Sequence, residues 1–231
     1  MGMPDNITQM LKRLLVAIVF GVAFGYIEAA VVVYLRAIFH PDGFHFPMQV
    51  FALTAQGRRL LLTEMGREAA TLTLILTAAR LFSKNRQEAV AYFMLIFAVW
   101  DIFYYVWLKV LLDWPATLMD WDVLFLIPVA WASPVLYPIL VSLAMFAFAT
   151  AILYRSAQDR PLAVTRGDLL GWLAAALVVV VSFCLAGLHM GQPDYASHFH
   201  PLLFAVGLAL GVAASVRSLW RSPARALAPP S

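Results

Sequence analysis

Six stretches of nearly continuous apolar residues alternate with short polar segments along this 231-residue chain. They cover residues 14–39, 60–82, 89–112, 135–154, 169–188 and 201–219. Each is near the ~20 residues a helix needs to cross about 30 Å of hydrocarbon. The pattern predicts an all-α integral membrane protein with about six transmembrane helices, forming a single polytopic domain over residues 1–221. Residues 222–231, rich in Pro, Ala and Arg, read as a disordered cytoplasmic tail.

One segment breaks the rhythm. Residues 113–134 read DWPATLMDWDVLFLIPVAWASP, and the apolar centre at 123–132 is too short to span. Trp114, Trp121 and Trp131 suit an interfacial belt, while Asp113, Asp120 and Asp122 favour water. Residues 114–133 are therefore expected to be re-entrant or to lie on the outer surface as a cap.

Basic residues set the expected orientation. Lys12, Arg13, Arg80, Lys84, Arg86, Arg155, Arg160, Arg166, Arg217, Arg221 and Arg225 all flank the segments on one side, eleven of the sixteen Lys and Arg. Only Arg58, Arg59 and Lys109 fall near the other side. By the positive-inside rule both termini are cytoplasmic, as in a bacterial-type inner (plasma) membrane protein. The apolar run after Lys12 and Arg13 is too long for a signal peptide, so it reads as a retained first helix.

Composition agrees with this reading. The chain is 63% hydrophobic and 13% charged, against about 45–50% and 25% in soluble domains. Its net charge of +3 is explained by the flanking loops, and no nucleic-acid partner is expected. A single cysteine, Cys184, excludes an internal disulfide and a CxxC site. Gly21, Gly25 and Ala29 in the first segment, and Gly207, Gly211 and Ser215 in the last, offer small faces for close helix packing.

The candidate chemistry lies in the charges that the apolar segments retain. A charged side chain near the centre of a membrane helix costs at least about 2.5–3.5 kcal/mol, yet the first three segments carry Glu28, Glu64, Arg67, Glu68 and Asp101. Counted by helical rise, all fall between the membrane centre and its outer face, with Arg36 and Lys109 farther out. Glu64, Glu68 and Thr71 share one helical stripe, and Asp101, Tyr105 and Lys109 share another beside Tyr104. These stripes predict an outward-facing, one-sided polar pocket in helices 1–3.

In that pocket Glu64, Glu68 and Asp101 are the candidate catalytic acid/base groups. Glu28, Arg36, Arg67, Tyr104, Tyr105 and Lys109 are the candidate substrate-binding groups. The competing expectation is a structural ion-pair network of Glu64–Arg67, Glu28–Arg36 and Asp101–Lys109. His189, His198 and His200 sit on the same outer side and form a candidate site for a divalent metal, although the HxH spacing is a weak signal.

Three functions compete. The first is a membrane-embedded enzyme acting on a lipid-phase or periplasmic substrate, holding a lipid or small-molecule ligand. The second is a small oligomeric, proton-coupled transporter. The third is an accessory subunit of a larger membrane complex. A transporter needs a polar path through the inner halves of helices 1–3, and those halves are apolar.

Overall fold

The computed structural model describes residues 4–48 and 54–221. The expected tail at 222–231 lies outside the described residues. Six long helices form where the apolar segments lie: α1 (Asp5–Phe39), α2 (Ala55–Phe82), α3 (Arg86–Leu112), α4 (Leu136–Ala157), α5 (Arg166–Gly187) and α6 (Pro201–Arg221). Five of them, all but α2, are long and apolar enough to cross a membrane. The molecule is thus largely helical and has the build of a multi-pass membrane protein.

Helix starts follow local chemistry. Thr54 accepts from the Gly57 N–H at 3.0 Å, and Asn85 accepts from the Glu88 N–H at 2.9 Å. Thr165 and Asp168 cap α5 reciprocally in a capping box. The buried face of α2 reads Gly57, Glu64, Glu68, Thr71, Ile75, Ala78 and Ala79, polar in its first half and apolar in its second. That polar half keeps α2 from being as apolar as its neighbours.

Chain ends and helix ends segregate. Arg13 of α1 donates to the Phe82 carbonyl at the end of α2, and Arg221 at the end of α6 pairs with Asp168 at the start of α5. These points lie at one end of the bundle, called here the terminal end. Near it α1–α4 share an apolar core that includes Ile75, Ala79, Ala91, Tyr92, Leu95, Ile96, Ile152 and Leu153. The Gly21 and Gly25 face of α1 packs on α3: a Cβ on Gly25 would stand 3.0 Å from the Trp100 carbonyl oxygen. Gly207 and Gly211 serve α6 in the same way against Val179 and Ala175 of α5. Both small-residue faces are used within the chain.

The segment between α3 and α4 is a β-hairpin, not a surface cap. β1 (Trp121–Phe125) pairs antiparallel with β2 (Trp131–Pro134), with Trp121 opposite Pro134 and Val123 opposite Ala132. It enters the bundle from the end opposite the chain termini, the hairpin end. Asp122 meets Arg36 and Tyr104, and Phe125 stacks against Phe97, about 22 Å below the end of α3 at ~1.5 Å per residue. Two-stranded pairing satisfies most of the inner backbone groups. One that remains, the Leu126 N–H, donates to Glu68.

The helices fall into two groups. α1–α4 pack together, α5 packs on α6, and the two groups touch marginally through α4 and α6. β2 is the main joint: Trp131 and Ala132 lie in a second apolar core with Phe183, Ala186, Phe199 and Phe204. At this joint a Cβ on Gly187 would overlap the Ala130 carbonyl.

Two glycine substitutions should separate these effects. Gly187→Ala should push the hairpin off α5 and lower the melting temperature of the detergent-solubilised protein by several degrees. Gly66→Ala meets nothing within 4 Å and should raise stability by about 0.5–1 kcal/mol through helix propensity.

Candidate functional site

Glu28, Glu68 and Asp101, carboxylates inside the bundle, each find a partner on another element. Glu28 of α1 accepts from Arg67 of α2, and its Oε1 accepts from Thr71 Oγ1 at 2.6 Å. Arg67 also donates through Nε to Glu64 Oε2 at 2.8 Å. One guanidinium therefore serves two carboxylates. Glu68, a turn below Glu64, receives the Leu126 N–H of the hairpin, 3.0 and 2.9 Å from its two oxygens. Asp101 of α3 accepts from Ser142 Oγ of α4 at 2.7 Å.

Nearer the hairpin end, Arg36 pairs with Asp122 at 3.4 Å. Its Cζ lies 3.9 Å from the Phe44 ring centroid and 3.8 Å from that of Trp114, close enough for cation–π attraction to both. Tyr104 donates to Asp122 Oδ2 at 3.4 Å. At the rim, burial and the Arg36 charge hold the His40 imidazole below its ordinary pKa.

Two of the expected ion pairs do not form. Glu28 meets Arg67 in place of Arg36, because Arg36 is drawn to the hairpin aspartate. Asp101 is held by a hydroxyl, whereas Lys109 bonds Asp113 at 2.7 Å on the exposed surface and keeps that carboxyl below the usual range. Glu64–Arg67 forms as expected.

Glu28, Arg67, Glu68, Thr71, Asp101, Tyr104 and Tyr105 line one cavity of about 1070 Å³. Glu64, Arg36 and Lys109 are not among its lining residues. The cavity occupies the gap between α3–α4 and the α5–α6 pair, and it continues to Arg86, Gln87 and Leu162 at the terminal end. From Arg86 to Tyr105, α3 rises about 28 Å, nearly the thickness of a bilayer's hydrocarbon. Phe93, Met94, Phe97, Val141, Met145, Phe148, Val179 and Leu208 make most of its wall apolar. The pocket is therefore not confined to helices 1–3 or to one half of the bundle. It is a long apolar cleft with its polar groups gathered toward the hairpin end.

The histidines are elsewhere. His189 and His198 stack face to face, with ring centroids 3.6 Å apart and planes within 6°. His189 Nδ1 bonds the Leu185 carbonyl, and His198 Nε2 lies 3.4 Å from Asp194. Stacked rings do not converge their nitrogens on one point. Among the described residues no three His, Cys, Asp or Glu side chains are grouped as a metal ion would require.

Sequence reasoning passed over Asp122, Ser142 and Trp114. Asp122 looked like a solvated cap residue, and Ser142 had no base nearby in the chain. The available signal was the excess of buried carboxylates over cations, which called for further donors. No known protein family, curated protein or solved structure matches this chain.

Arg67→Met should be among the most damaging single changes, because it leaves Glu28 and Glu64 buried without their cation. A loss of about 3–5 kcal/mol is expected, read as a lowered melting temperature. Lys109→Ala removes a surface pair and should leave the melting temperature unchanged.

Proposed function

We propose that this chain is a six-span inner-membrane protein that binds a lipid-phase substrate in the cleft between α3–α4 and α5–α6, and acts on its polar end with Glu68 and Asp101. The observation that carries the reading is the cleft itself: an apolar trough of near-bilayer length ending in carboxylates, tyrosines and an arginine. Its volume lies at or just above the top of the range of about 300–1,000 Å³ usual for ligand pockets, as a long-chain ligand requires.

Roles follow from the hydrogen bonds. Asp101, fixed by Ser142, and Glu68, fixed by the hairpin backbone, are the acid/base pair. Glu64 and Glu28 hold Arg67, which faces the cavity and supplies the positive charge. Tyr104 and Tyr105 close the hairpin end. Lys109 and Arg36 have no direct part in this scheme.

The transporter is favoured less. The cleft does reach the terminal end, at Arg86 and Gln87, but the wall between there and the carboxylates is largely apolar, which suits a hydrocarbon chain better than an ion. The accessory-subunit reading would use the outer faces of α5 and α6, where Leu170, Leu173, Leu177 and Leu202 are exposed. Such faces are equally suited to lipid.

In this reading α2 is the sixth span, its charges turned to α1 and to the hairpin, and both termini are cytoplasmic. Orientation is checked by thiol labelling of intact cells in a Cys184→Ser background. Asp194→Cys should react with an impermeant reagent and Asp5→Cys should not; the reverse would invert the topology.

Function is tested by mass spectrometry of gently purified protein. One lipid per chain should be retained, and Ala176→Trp, which fills the cleft, should abolish retention. With that lipid as substrate, Asp101→Asn and Glu68→Gln should each lower turnover by about 10²-fold or more. Normal turnover in both would remove them from the chemistry.

A further inference from the structure

The cleft is closed toward both ends of the bundle. At the hairpin end Glu28, Glu68, Thr71, Tyr105, Ser142 and Phe183 line it and are buried. At the terminal end Gln87 of α3 holds the segment that follows α4. Its amide donates to the Leu162 carbonyl at 2.7 Å, and its side-chain oxygen accepts from the Leu162 N–H at 3.0 Å. Gln87 and Leu162 both line the cleft and Leu162 is buried, so this reciprocal pair straps the connecting segment to α3 at that end.

Between the ends one side is open, and its border is apolar. Val90 of α3 and Val212 and Val216 of α6 line the cleft, yet they are 57%, 43% and 41% exposed. By helical rise they stand about 6–14 Å from the terminal-end tips of their helices. α3 and α6 are not packed against each other, which leaves a gap between these valines. Arg86, one turn before Val90, and Arg217, Trp220 and Arg221, after Val216, suit the membrane interface. The valines lie inside those markers, where the surroundings of a spanning helix are hydrocarbon.

A chain whose polar end is held at Asp101 reaches Val90 after about 16 Å along α3. The strapped end then lies ahead of it and hydrocarbon lies beside it. We propose that the cleft has a side mouth between α3 and α6, bordered by Val90, Val212 and Val216, through which the chain of the bound lipid leaves into the bilayer. The ligand class is then a lipid whose chain exceeds the cleft, because the surplus stays in hydrocarbon and meets no water. The inference rests on the lipid-binding reading above and adds its chain specificity.

Probes with one head group and different chains test it: the monoacylglycerols of decanoic, palmitic and lignoceric acids. Each is offered at equal mole fraction to the full-length protein in phosphatidylcholine nanodiscs, and bound probe is counted by native mass spectrometry. The palmitic and lignoceric probes should bind within about twofold of each other, since a chain past the mouth exchanges one hydrocarbon surrounding for another. Val90→Trp and Val216→Trp, made separately at exposed positions, narrow the mouth from either helix. Each should weaken the lignoceric probe about tenfold and leave the decanoic probe, whose chain ends inside, unchanged. An unchanged melting curve certifies the fold of each variant.

Exclusion of the lignoceric probe from the unaltered protein, with the decanoic probe bound, would overturn the mouth and leave a closed lipid pocket. Lignoceric binding indifferent to both valine variants, or lost together with decanoic binding, would overturn the place given to the mouth. A second copy of the chain seated over the gap would do the same. Binding of no probe at all would overturn the lipid reading as well.

Discussion

A carboxylate held inside an apolar bundle must have a donor aimed at it, and this fold is arranged around that requirement. Glu28 ties α1 to α2 through Arg67 and Thr71. Glu68 ties α2 to the hairpin through a backbone N–H. Asp101 ties α3 to α4, and Glu88 does so again at the terminal end through Ser156 at 2.8 Å. Asp122 gathers the hairpin, α1 and α3, while Asp168 joins α5 to α6 through Arg217 and Arg221. Adjacent elements are therefore clasped by polar contacts, which apolar packing then surrounds. Such contacts gain little over water, but leaving either partner alone is expensive, and so they fix which elements meet and in what register.

The cleft follows from the hairpin. Its strands fill the space that α5 would need to pack on α3 and α4, and β2 meets α5 at Gly187 where no side chain intervenes. Below the hairpin the gap continues with largely apolar walls as far as Arg86 and Gln87 at the terminal end. The inserted hairpin thus supplies Asp122 and the Leu126 N–H to the polar end and holds open the apolar remainder.

The helices were legible because twenty apolar residues in a row have few alternatives. All six expected segments coincide with helices to within a few residues at most ends, the exception being the longer start of α1. The gathering of Glu28, Arg67, Glu68 and Asp101 at one level was likewise readable from helical rise alone. What rise does not give is rotation and lateral position. Arg36 lies 86 residues from Asp122, and Asp101 lies 41 from Ser142, so pairs chosen by closeness along the chain went astray. The hairpin was hidden for a related reason. Its strands cover five and four residues and present no exposed face, so they show little of the alternation that marks a half-buried strand. The lining contributed by α4–α6 was invisible because plain Leu, Val and Phe do not distinguish a cavity wall from a lipid-facing surface.

The Glu28–Arg67–Glu64 contact has a bearing on how the chain is built into a bilayer. Helix α1 is apolar enough, at a mean hydropathy of 2.3 over its best window, to carry one glutamate into hydrocarbon unaided. α2 follows with six charges, three of them (Glu64, Arg67 and Glu68) away from its ends, and a much lower apolar content, and on its own it makes a poor membrane segment. Its arginine becomes tolerable only when Glu28 is already there to receive it. In the proposed six-span reading the second helix is a client of the first, the two entering the membrane as a pair with the site's central cation delivered by the act of insertion.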